Sequence, residues 1–110
     1  MSFISLFLCL QILWANTEIE FLQKIIQIAS VRSKEHLVVK EVSKLFDLNG
    51  ISYEVITHPE NPEKQSLVAI IGPKNKEGGL ILLSHSDVVE VSKDWKVNPF
   101  QGLIKDQRIY

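Results

Sequence analysis

The chain has 110 residues, 45% of them hydrophobic and 23% charged, with a formal net charge of -1. That length allows one domain at most, and the near-neutral balance lacks the basic face expected of a nucleic-acid binder. A single cysteine, Cys9, excludes an internal disulfide framework and a cysteine-rich zinc site, so any metal would be held by imidazole and carboxylate.

Residues 1–16 carry no charged side chain, and Phe3 to Ala15 is apolar apart from Ser5 and Gln11. The run is shorter than the roughly 20 residues of a spanning helix and suits the apolar core of a signal peptide. It departs from that pattern in having no Lys or Arg ahead of it, and Leu13 stands where a small residue is usual before a cut at Ala15. The expectation is a signal peptide or hydrophobic anchor over 1–16. Export to a periplasmic or secreted location follows, with the cytoplasm as the alternative and membrane contact confined to this segment.

From Thr17 the pattern becomes helical. Thr17 and Glu20 have the spacing of a capping box, and Leu22, Ile25, Ile26 and Ala29 recur on one face. Ser33 is placed to cap a second helix, whose apolar face is Val38, Val42, Leu45 and Phe46. Asn49-Gly50 supplies a left-handed stop. Ile51, Tyr53 and Val55 alternate with Ser52, Glu54 and Ile56 as in a half-exposed strand. The stretch from His58 to Lys64, with Pro59 and Pro62, reads as a surface loop. Ser66 to Ile71 and Leu80 to Leu83 are compact apolar runs that suit buried neighbouring strands, joined through the glycine-rich turn from Gly72 to Gly79. Residues 17–110 are thus expected to be α/β, with helices packed on a mixed sheet.

The segment Leu80-Ile81-Leu82-Leu83-Ser84-His85-Ser86-Asp87-Val88-Val89 carries the chemistry. Ligands and metals in α/β folds collect at the carboxyl ends of strands. There His85 can bind a metal through one ring nitrogen, while Asp87 holds the other ring N–H and fixes the tautomer. On spacing alone, a His-x-Asp after an apolar run is more often a structural hydrogen bond. His36, in the first turn of a helix, and His58, before a proline in a charged loop, read as solvated.

The wider order of motifs is more specific. After His85-Ser86-Asp87-Val88-Val89 come Asp94-Trp95, Asn98-Pro99-Phe100 and Gly102 to Tyr110, and Ile28-Ala29-Ser30-Val31 follows the first helix. This order resembles the zinc-dependent metallopeptidase and deacylase family of acetylornithine deacetylase, succinyl-diaminopimelate desuccinylase, aminoacylase and glutamate carboxypeptidase. There, a strand ends in His-x-Asp-Val-Val, a tryptophan and a Pro-Phe pair follow, and a short hairpin leads to Tyr-Gly-Arg-Gly. The resemblance runs from about Glu18 to Tyr110, with Ser84 replacing the usual glycine before the histidine. Trp95 and the Pro99-Phe100 pair are expected to pack their loop.

The resemblance implies the N-terminal part of a mixed-sheet zinc-peptidase catalytic domain, cleaving the amide bond of N-acyl amino acids or peptides. It implies two zinc ions, or cobalt or manganese, sharing an activated water. His85 then corresponds to a metal ligand, and Asp87 to the catalytic-site aspartate that orients it. The bridging aspartate, the general-base glutamate, the remaining ligands and a smaller domain through which relatives form homodimers have no counterpart in these 110 residues. The expectation is a fragment, inactive alone and prone to associate through uncovered strands. The alternatives are an exported or membrane-tethered binding module and a non-catalytic truncated partner of a full-length relative.

Overall fold

The computed structural model describes residues 17–73 and 78–110; the apolar segment 1–16, with Cys9, lies outside the described residues. The described chain is a small mixed α/β arrangement with two helices and two small antiparallel sheets. It divides into two compact units, residues 29–90 and a second formed by the N-terminal helix with residues 91–110. No helix among the described residues is long and apolar enough to cross a membrane.

In the second unit, helix α1 covers residues 17–26. Thr17 is its first described residue, and the capping box expected at Thr17 and Glu20 turns on a helix start that lies outside the described residues. The helix ends a turn before Ala29, closing with Gln27 N–H donating to Gln23 O at 3.0 Å and Ile28 N–H to Ile25 O at 3.1 Å. Its polar glutamines hold the C-terminal segment. Gln23 Nε2 donates to Gly102 O at 2.8 Å, and Gln27 Nε2 to Gln101 O at 3.1 Å. Gly102 is buried at φ +62°, and a Cβ there would lie 3.2 Å from Gln23 O, so close approach and backbone sign both require glycine.

The anticipated short hairpin follows. Strands β3 (Ile104–Lys105) and β4 (Arg108–Ile109) pair antiparallel, joined by Asp106 and Gln107 at φ +51° and +59°. Two consecutive left-handed residues are the signature of a type I′ turn, whose twist matches that of the strands. Asn98 Oδ1 accepts from Phe100 N–H at 3.0 Å, closing the turn that leaves Pro99 and Phe100 half-buried. Trp95, expected to pack its loop, is instead 55% exposed.

In the 29–90 unit, helix α2 spans Glu35–Leu48. Ser33 does not cap it: the cap position is Lys34, with no side-chain bond, and Ser33 sits at φ +65° where its hydroxyl makes no capping contact. The C-terminal stop is as anticipated. Gly50 is at φ +64°, Ile51 N–H donates to Phe46 O at 2.9 Å, and Gly50 N–H donates to Asp47 O at 3.2 Å. These two bonds form a Schellman motif that satisfies carbonyls the helix itself leaves open.

Strands β1 (Tyr53–His58) and β2 (Asn61–Ala69) form an antiparallel hairpin with Tyr53 opposite Ala69 and Val55 opposite Leu67. The stretch anticipated as a loop from His58 to Lys64 is a tight turn at Pro59-Glu60, with β2 already running from Asn61. Charged side chains are compatible with a two-stranded ribbon open to water, and Pro62 is tolerated on such an edge. In β2, Asn61, Gln65, Leu67 and Ala69 are half-buried and the other residues exposed. The helix packs on this hairpin: Val38 and Val39 are 7% and 6% exposed, and the Phe46 and Tyr53 rings meet at a centroid distance of 5.8 Å and a tilt of 56°.

Leu80 to Leu83 differs most from expectation. It forms no strand, and its four side chains are 84–93% exposed. A β-strand needs a neighbour to satisfy its backbone groups, and none of the described strands pairs with it. The placement of His85 at the end of a buried strand is corrected accordingly: it follows an exposed apolar segment outside any strand.

Candidate functional site

Residues 84–90 are exposed apart from a half-buried Ser86 and lack regular pairing except at Val88. Geometry there is therefore set by hydrogen bonds and not by packing. The His85 imidazole turns back on its own loop. Its Nδ1 lies 3.1 Å from Asp87 Oδ1 and 3.1 Å from the Asp87 carbonyl oxygen. Both partners accept, so Nδ1 must donate, and the neutral ring carries its proton on Nδ1. The Nε2 lone pair is then the ring's available ligand atom. The side chains are 83% and 64% exposed, so the pair is open to solvent.

The other two histidines are wired differently. His58 Nδ1 accepts from Glu60 N–H at 3.2 Å, which puts the neutral proton on Nε2 and leaves no free lone pair. His36, in the first turn of α2, has Nδ1 3.2 Å from the Glu63 carbonyl, so it too can turn Nε2 outward. Its partner is a neutral carbonyl, whereas His85 has a carboxylate as well as a carbonyl to fix the tautomer and orientation of the ring.

Three consecutive residues hold the His85 loop within the same unit. Ser30 Oγ donates to Ser86 O at 2.6 Å, Val31 forms a parallel β-bridge with Val88, and the Arg32 guanidinium pairs with Glu90 through Nε. The hydrogen bond and charge of Arg32 hold the Glu90 carboxyl below its ordinary value, and Glu90 in turn raises Arg32. The chain then leaves the bridge through Arg32 and Ser33, at φ +56° and +65°. Left-handed backbone in non-glycine residues costs about 1–2 kcal/mol each. That cost turns the chain from the bridge into α2 within three residues. Sequence reasoning identified His85 and Asp87 but not these ties. Val31, β-branched and lying between the two helices, was the one local signal of a bridge.

An open groove of about 1160 Å³ runs beside the site, between α2 with the β1–β2 hairpin and the segment from Leu80 to Asp87. Val38, Val42, Leu67 and Leu82 supply apolar lining, and His85 and Asp87 stand at its margin.

The donor set fits one position of a metal centre and no more. An imidazole with an orienting carboxylate is the usual form of a single histidine ligand, but a catalytic zinc takes three protein ligands. Among the described residues no group of three or more His, Cys, Asp or Glu side chains is arranged to hold an ion. No family model matches the sequence, and neither the curated proteins nor the solved structures contain a match to it.

Proposed function

We propose that this chain supplies the N-terminal part of a metal-dependent amidohydrolase, with His85 as one metal ligand and Asp87 as its orienting carboxylate. The reading carries the expected family, the zinc-peptidase type of domain and the substrate class of N-acyl amino acids or peptides. Its main support is the ring wiring. Nδ1 is committed to Asp87, and Nε2 is left as the donor atom. The exposed Leu80–Leu83 run also favours a larger sheet, since so much apolar surface calls for strands from beyond the described residues.

By itself the described part does not complete a metal site, so no bond cleavage is assigned to it. Its share of the work is positional. Asp87 keeps His85 in one tautomer and one orientation, and the loop presents that ring at the margin of an apolar groove. A non-catalytic role beside a longer relative is a second reading, favoured by the same uncovered run. Equilibrium dialysis against zinc separates the ligand role from a structural one. Bound zinc should fall in His85→Ala and weaken in Asp87→Asn. Unchanged zinc binding in His85→Ala would overturn the assignment.

A further inference from the structure

We infer that Ser30 is a positioning residue for the His85–Asp87 pair, acting through the peptide that joins Ser86 to Asp87. The inference rests on the proposed ligand role of His85 and deepens it. Ser30 is 2% exposed, below Val39 at 6% and Val38 at 7%. A hydroxyl so buried needs a partner, and it donates to the carbonyl of Ser86 at 2.6 Å, 56 residues away in sequence.

That carbonyl is the one between the two functional residues. A peptide unit is planar, so holding the Ser86 oxygen also fixes the Asp87 N–H and Cα. Two Asp87 oxygens, Oδ1 and the backbone O, must face one nitrogen of His85, both at 3.1 Å. Neither side chain is held by burial, at 83% and 64% exposure. Residues 78–87 belong to no strand, so the loop gains no rigidity from a ladder until Val88 meets Val31. The Ser30 bond stands two residues before that bridge and extends its restraint to the peptide that aims Asp87. Without it, rotation about the Ser86 and Asp87 backbone would separate the carboxylate from the ring, and the imidazole would lose its preference for the Nδ1–H form.

The test uses the full chain with imidazole nitrogens observed by NMR, and zinc alone as probe. In the wild type, neutral His85 should be mainly the Nδ1–H tautomer. Ser30→Ala should shift it toward Nε2–H and weaken zinc binding at His85 roughly tenfold. Ser30→Thr, which keeps the hydroxyl, should restore both. If Ser30→Ala disrupts the β1–β2 hairpin, Ser30→Cys takes its place, since it is close in volume and only a weak donor. A wild-type tautomer and zinc affinity in the variant that folds would overturn the inference. His85→Ala is the control for the underlying reading: zinc binding that survives its loss refutes the ligand role, whatever Ser30 does.

Discussion

Replacing Ile81 and Leu83 together by serine should leave the fold standing and change how the protein associates. Ile81 is 88% and Leu83 93% exposed, so the pair buries little surface in the described structure. Full burial of such a side chain contributes about 1.5–3 kcal/mol, so the residual burial of the pair is worth about 0.5 kcal/mol. That corresponds to a fall in Tm of about 2–4 °C for a domain of this size. Were the run a strand in the interior of this chain, the double substitution would cost about 3–6 kcal/mol. Association should respond in the opposite sense. With all four residues from Leu80 to Leu83 more than four-fifths exposed, about 5–10 kcal/mol of burial is unrealised, an upper estimate. Lost rotational and translational freedom offsets at least half of it, leaving at most about 5 kcal/mol and self-association with Kd on the order of 1 mM. Sedimentation velocity at concentrations up to that value should show growing species in the wild type and fewer in the double variant. A loss of stability near 3 kcal/mol, or identical sedimentation of the two proteins, would refute the claim that this run is uncovered.

Two further substitutions probe the supports of each unit. Gly102→Ala places a Cβ 3.2 Å from Gln23 O at φ +62°, and should lower stability by about 1–3 kcal/mol in chemical denaturation; an unchanged midpoint would count against the close packing on α1. Glu90→Gln removes the carboxylate paired with Arg32. Because Glu90 titrates below its ordinary value in the folded chain, its small contribution is complete at neutral pH and is lost as pH falls through that lowered value. The wild type and Glu90→Gln should therefore differ in stability at neutral pH and low salt, and converge in acid or at high ionic strength. A difference that grows on acidification would contradict the pairing.

The parts of the fold legible in the sequence are those determined by local chemistry. Helix α2 follows from the spacing of Val38, Val42, Leu45 and Phe46, and its end from Asn49-Gly50, because a Schellman motif is closed by residues within six of one another. The β3–β4 hairpin is local too, but it was expected from the family resemblance and not from the residues Asp106 and Gln107 that form its turn. Ser33 failed as a cap because the backbone there is committed to a left-handed step out of the Val31–Val88 bridge, a constraint set by residues more than fifty positions away. Leu80 to Leu83 has the composition of a buried strand, but burial requires an edge to pair with, and composition does not say whether one is present. Within the candidate site, the pairing of His85 with Asp87 was legible because the two residues are only two positions apart and a carboxylate is a natural partner for an imidazole N–H. The role of Ser30 was not, since a serine in the connection between two helices gives no sign that its hydroxyl closes on a distant carbonyl.

The most direct test of the central claim is a zinc titration of the intact chain, with the three imidazoles His36, His58 and His85 followed individually by NMR. His85 should respond first and through Nε2, with Nδ1 keeping its proton, and the response should weaken in Asp87→Asn. Equal response at all three rings, or zinc bound preferentially at His36 or His58, would contradict the account.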